Sequence, residues 1–199
     1  ADSTVGRRIE ELDTPTLYVD LDALEHNVAL MAQRSAEAGV VWRPHVKASK
    51  TPELAKRILA GGAQGITCAK VGEAEAMVAG GIDDILIANE IVGPQKITRL
   101  IEVARQTSRL CVAVDDPRNI EELSAAFDAA GLTLDVLVDI NIGANRCGVT
   151  PELAPQLAQQ VLDAPALNLR GLMGYEGHAV GISDLEEKEA VSAAAAEVF

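Results

Sequence analysis

The chain has 199 residues, 48% of them hydrophobic and 24% charged, the proportions of an ordinary folded domain with one substantial core. Its formal charge of −13 supplies no basic face for nucleic acid or for an anionic membrane surface. No apolar run approaches the roughly 18 residues of a spanning helix, and the start "ADSTVGRRIEELD" lacks the apolar segment of a secretory signal, so a cytoplasmic protein is expected.

In chain order, apolar β-branched runs occur at "TLYVDL", "VVWRPHVKA", "GITCAKV", "DILIAN", "LCVAVD", "DVLVDINI" and "LRGLMGYEG", each followed by a segment of helical periodicity. The pattern predicts β then α, seven times. After "TLYVDL", Asp22 with Glu25 predicts a capping box, Leu24, Val28 and Met31 a buried stripe, and Gly39 a stop. Thr51-Pro52, Gly93-Pro94, Asp116-Pro117 and Thr150-Pro151 each place a capping type before a proline suited to a first helical turn. Ile97, Leu100, Ile101 and Ala104 form a stripe in one of these later units. Alternating units without a dividing linker predict an α/β fold, either a (β/α) barrel or a doubly wound sheet.

Cys68, Cys111 and Cys147 are odd in number and sit in or just after apolar runs, as reduced core thiols do. No Cys/His spacing matches a zinc site.

In a barrel the functional residues gather where the strands end. Those ends carry Lys47, Lys70, Asn89, Asp115, Asn141 with Arg146, and Tyr175 with His178. Lys47 is the candidate nucleophile. A lysine at the lip of an apolar strand, with Arg43 and Lys50 nearby, is expected to have a lowered pKa, the profile of an amine that attacks a carbonyl. Lys70 has the same strand-end placement but runs into an acidic helix start, where Glu73 and Glu75 read as a solvated first turn.

Four ordered motifs, "RPHVKASKTPELA", "GITCAKVGEAEAMVAGGIDDILIANEIVG", "VDINIGANRCGV" and "GLMGYEGHAVG", resemble the pyridoxal-phosphate barrel enzymes of the alanine-racemase-like family. The likeness covers nearly the whole chain and points to the branch of D-threonine aldolases, 3-hydroxy-D-aspartate aldolases and D-serine dehydratase-like enzymes. It implies a (β/α)8 TIM-type barrel of pyridoxal-phosphate fold type III. About six of eight barrel strands are expected here, with residues 1–21 leading to the barrel, 22–199 forming part of it, and a C-terminal β domain outside this chain.

The resemblance further implies that Lys47 binds pyridoxal 5'-phosphate covalently, that Arg146 hydrogen-bonds its phenolic oxygen and that Tyr175 packs on its ring. Arg43, His45, Asn89 and His178 are implied to line or support the site. A divalent metal is expected on residues outside this chain, as is the phosphate cradle, and a homodimer is one expected state, with no contact assigned to it. The implied reaction cleaves a D-3-hydroxy amino acid to glycine and an aldehyde. A dehydratase, a racemase and a non-catalytic carrier of the cofactor are the alternatives. Ser49 stands where many relatives have histidine, so a histidine-assisted step is not expected at that position.

Overall fold

A computed structural model describes residue 4 and residues 6–199. Five parallel strands, β1 (Ile66–Cys68), β2 (Asp84–Glu90), β3 (Arg109–Val114), β4 (Leu134–Ile140) and β5 (Leu167–Gly174), form one sheet in the order β1-β2-β3-β4-β5. Helix α1 (Leu21–Glu37) and helix α2 (Pro52–Ala60) precede the sheet. Then α3 (Val71–Ala79), α4 (Pro94–Ala104), α5 (Pro117–Ala129) and α6 (Ala154–Asp163) cross between successive strands, and α7 (Leu185–Val198) follows β5. Because each strand lies beside the one before it, right-handed crossovers put all four helices on one face. This is barrel winding; a doubly wound sheet would reverse its order part-way.

The core lies between that face and the helices. Ile85 and Ile87 of β2, Val112 and Val114 of β3, and Val136 and Val138 of β4 are fully buried, together with Leu100, Leu123, Phe127 and Val161 from the helices. The other sheet face is the concave side. At its lower end ion pairs join neighbouring strands: Arg43 to Asp84 at 2.8 Å, Arg109 to Asp84 at 3.8 Å, and Arg170 to Asp135 at 3.5 Å. Arg43 reaches Asp84 across β1 because Gly65 has no side chain; a Cβ there would lie 1.9 Å from the guanidinium and 2.8 Å from the Asp84 carboxyl.

Several sequence expectations are corrected. "TLYVDL" is not a strand: residues 16–20 have no regular secondary structure and no sheet partner among the described residues, and Leu17 is fully exposed. A β-propensity run forms a strand only against a neighbour. "VVWRPHVKA" forms one bridge, His45 to Thr67, with hydrogen bonds from Thr67 N to Pro44 O and Val46 N to Thr67 O. Val40 and Val41 stay exposed, and Pro44 has no N–H to extend the ladder. The sheet therefore has five strands and a bridged sixth segment.

The first helix is capped by Asp20, whose side chain accepts from Ala23 N, so Asp22 lies in the first turn and the expected capping box is absent. Of the predicted stripe, Val28 is buried and Met31 is exposed. Pro52, Pro94 and Pro117 open helices as expected, whereas Thr150-Pro151 begins a turn and α6 starts only at Ala154. Cys68 and Cys111 are buried free thiols, both pushed up to about 12 by burial, and Cys147 is half-buried and free.

Candidate active site

Lys47 follows the bridged segment. Val46, buried to 1%, anchors that segment under Thr67, and the chain then turns through a hydrogen bond from Lys50 N to Val46 O. Lys50 occupies the left-handed region with φ 50°, costly for a residue with a Cβ. Its ammonium is tied to the Glu73 carboxylate, which also accepts from Ala69 N at 2.7 Å. Glu73 is therefore not a solvated first-turn residue: it is buried. Burial raises its pKa, but the Lys50 and Ala69 hydrogen bonds outweigh that and hold it below the usual glutamate range. Glu75 pairs with Arg99, and Lys70 lines a depression with Lys96 and Arg99 whose wall does not include Lys47. Lys47 itself is exposed, and the cations expected to crowd it are committed elsewhere, Arg43 to Asp84 and Lys50 to Glu73.

His45 faces the same space. Its Nδ1 accepts from Lys47 N at 3.2 Å, which puts the ring proton on Nε2. Desolvation, with Lys47 next, lowers its pKa and keeps the ring neutral.

Arg146 is presented by the loop after β4. Asn141 Oδ1 accepts from Gly143 N and Asn145 N, both at 3.1 Å, and Asn145 takes a left-handed φ of 51° that asparagine tolerates. The chain returns beside β4, where Gly148 donates to Asp115 Oδ2 at 2.9 Å. A side chain at Gly148 is excluded, since its Cβ would lie 2.6 Å from Asn141 N. Tyr175 follows β5, and its ring packs over Gly177.

These elements converge. Lys47 Nζ lies 5.6 Å from the Tyr175 ring centroid and the Arg146 guanidinium carbon 5.3 Å from it. The three residues line one cavity of about 600 Å³ at the C-terminal ends of the strands, with Arg43, His45 and Asn89 also in its wall. Asn89 is oriented by its amide donating to Ala69 O at 3.1 Å. His178 does not line this cavity; its ring packs against Gly143 and braces the loop that carries Arg146.

Beside the cavity is a group that sequence reasoning did not assemble. Glu90, Asp115 and Cys147 place oxygen and sulfur atoms within 4.8 Å of one another, and Asp139, 6% exposed, adjoins them. Asp115 and Asp139 stand at or just beyond strand ends, but only the β2 irregularity after Ile87 turns Glu90 towards them. Burial first, and Glu90 next, raise the Cys147 thiol pKa, while the nearby Arg146 guanidinium lowers it.

A sequentially wound parallel βα sheet with a polar cavity at its C-terminal ends defines a protein of the (β/α) barrel class. Residues 19–199 match the alanine racemase N-terminal domain, and the chain belongs to that family. It is 42% identical over 194 residues to a D-threonine aldolase of Arthrobacter sp, covering 97% of this chain and 51% of that protein. It is 39% identical over 196 residues to a 3-hydroxy-D-aspartate aldolase of Paracoccus denitrificans (strain Pd 1222), covering 97% and 51%. Among solved structures, D-threonine aldolase from Filomicrobium marinum superposes with a TM-score of 0.92 at 45% identity, covering 96% of this chain and 52% of that one. The chain spans about half the length of these relatives. No helix among the described residues is long and apolar enough to cross a membrane.

Proposed function

We propose that this chain is the lysine-bearing part of a pyridoxal-phosphate lyase that cleaves a D-3-hydroxy amino acid, of the threonine or 3-hydroxyaspartate type, to glycine and an aldehyde. The observation that carries the reading is the convergence of Lys47 and Arg146 on the ring of Tyr175. One amine, one guanidinium and one aromatic face, in a cavity the size of a single small-molecule site, are the donors a pyridine aldehyde needs. The bound cofactor supplies an electron sink for the pair released when Cα–Cβ breaks.

The chain's own residues bind and orient. Lys47 would hold the cofactor's aldehyde carbon, and its backbone N–H is fixed by donation to His45 Nδ1. With Lys50 drawn to Glu73, Lys47 is the amine left facing the cavity. Arg146 would donate to the phenolic oxygen, and Tyr175 would pack against the cofactor ring and hold its orientation. His45 is not the base for the 3-hydroxyl, because its one unprotonated nitrogen is occupied by Lys47 N. Ser49 cannot accept that proton as histidine would, and its carbonyl is engaged by the Thr51 hydroxyl at 2.7 Å. The similarity to aldolases at 39% identity and above supports the reaction class.

The test uses the full-length protein containing this chain. Borohydride reduction is expected to attach the cofactor to Lys47, and incubation with D-threonine or 3-hydroxy-D-aspartate to release glycine. An adduct on Lys50 or Lys70 overturns the site, and a 2-oxo acid with ammonia in place of glycine makes the enzyme a dehydratase.

A further inference from the structure

A second cavity, of about 450 Å³, lies in the helix layer between α5 and the C-terminal end of α6. Glu121, Ser124 and Asp128 follow the i, i+3, i+7 spacing, so α5 presents all three on one face, and all three line this cavity. Gln160 and Asp163 face it from α6. Ile120, Ala125 and Pro165 supply apolar wall. No lysine, arginine or histidine lines the cavity, and Arg118 nearby is committed to Asp116 at 3.2 Å.

Two polar groups of this wall are left without partners. Ser124 is 6% exposed, yet its hydroxyl makes no hydrogen bond among the described residues, not even to the carbonyl one turn back in its own helix. Gln160 Oε1 is buried and likewise unpartnered. Such groups cost stability, and alanine at position 124 would remove one of them while forming helix more readily. The carboxylates are also unneutralised. Glu121 and Asp128 have no ion-pair partner among the described residues, and Asp163 only accepts from Gln159 Nε2 at 2.9 Å.

We propose that this cavity binds a linear aliphatic polyamine. Its terminal ammonium groups pair with Glu121 at one end and with Asp128 and Asp163 at the other. A central amine donates to Ser124 Oγ and Gln160 Oε1, and the methylenes lie on Ile120, Ala125 and Pro165. The spacing favours an extended cation over a metal ion. Glu121 and Asp128 are two helical turns apart, about 10 Å along α5. The metal-ligating atoms that gather within 4.8 Å among the described residues are those of Glu90, Asp115 and Cys147, at the other site. Ser124 lies between the two carboxylates along the helix, where a triamine carries its middle nitrogen. The net charge of −13 attracts any cation, but only one with donors along its length satisfies both unpartnered oxygens as well. This site is independent of the cofactor assignment.

The test is calorimetric titration of spermidine into the full-length protein at constant ionic strength. Saturable binding at one site per chain is expected. Ser124→Ala should weaken it about tenfold, as a hydrogen bond to a charged donor is lost. Asp128→Asn and Asp163→Asn should each weaken it about threefold. S124A should also melt no lower than wild type, which separates lost binding from lost folding; if it does not fold, the two exposed positions 128 and 163 decide. Glu186→Gln removes an exposed carboxylate from the first turn of α7 and is expected to leave binding unchanged. Butylamine, with a single ammonium, should bind at least about tenfold more weakly than spermidine. The absence of saturable binding to wild type would overturn the proposal, as would affinities in S124A and D128N within about twofold of wild type. An equal loss in E186Q would reduce the attraction to net charge, and butylamine binding as tightly as spermidine would remove the extended ligand; either result also overturns it.

Discussion

At the scale of the residue, the site is organised less by Lys47 than by the groups that draw its neighbours away. Glu73 takes Lys50, Asp84 takes Arg43, and Gly65 makes the second pairing geometrically possible. Gly65→Ala is expected to destabilise by more than about 1 kcal/mol, since the position has φ +76° and the new methyl would displace Arg43; chemical denaturation measures it. Glu73→Gln is expected to cost about 2 kcal/mol at neutral pH, as a buried charged partner is lost. The sign of its pH dependence follows from the lowered pKa. The folded state holds Glu73 ionised where the unfolded chain would begin to protonate it, so the stabilisation is complete above the ordinary glutamate value. It is lost as pH falls through the lowered one, and the wild-type advantage over E73Q should vanish there. Asp139 works in the opposite sense. Its raised pKa makes the fold bind the extra proton between the ordinary aspartate range and about 7, so its contribution to stability falls as pH rises through that window.

At the scale of the element, five of the seven apolar runs were legible as strands and the two nearest the N-terminus were not. "DILIAN", "LCVAVD" and "DVLVDINI" became β2, β3 and β4 because each has a strand on either side and helices over one face. "TLYVDL" has equal β-propensity, but the described residues offer it no neighbour, and propensity cannot supply one. Caps show the same limit at finer grain. Asp20 and Asp22 are both plausible caps by type, and only the extended backbone of Asp20, with its side chain on Ala23 N, decides between them. Asp20→Ala should therefore destabilise α1 by about 1 kcal/mol in thermal or denaturant melts, with Asp22→Ala costing about half that or less. At the site, Lys47, Arg146 and Tyr175 were readable as strand-end residues of one face. Glu73 and the Glu90–Asp139 contact were not, because burial of an acid depends on partners distant in sequence: Glu73 lies 23 residues from Lys50.

At the scale of the whole molecule, five strands and one bridged segment give a concave sheet whose two margins have no further strand among the described residues. Val40 and Val41 at one margin and Leu172 at the other are exposed apolar residues, which a closed barrel would cover. The cavity shares this openness: Lys47 and Tyr175 both remain exposed. What the cavity provides is an amine, a guanidinium and a ring face. The α3 N-terminus, a ready source of phosphate-binding N–H groups, belongs to the adjoining depression with Lys70 and Lys96, which shares only Ala69 and Asn89 with the main cavity. A phosphate in the main cavity would therefore meet few fixed donors from these residues. Residues 1–199 alone are expected to bind pyridoxal phosphate at least a hundredfold more weakly than the full-length protein, a difference of about 2.8 kcal/mol. Spectroscopic titration of the two proteins side by side measures it, with borohydride trapping to locate the bound fraction. Equal affinity would mean that the phosphate is held by the five-stranded sheet and its loops, and the search for the cradle would then turn to Lys70, Lys96 and the first turn of α3.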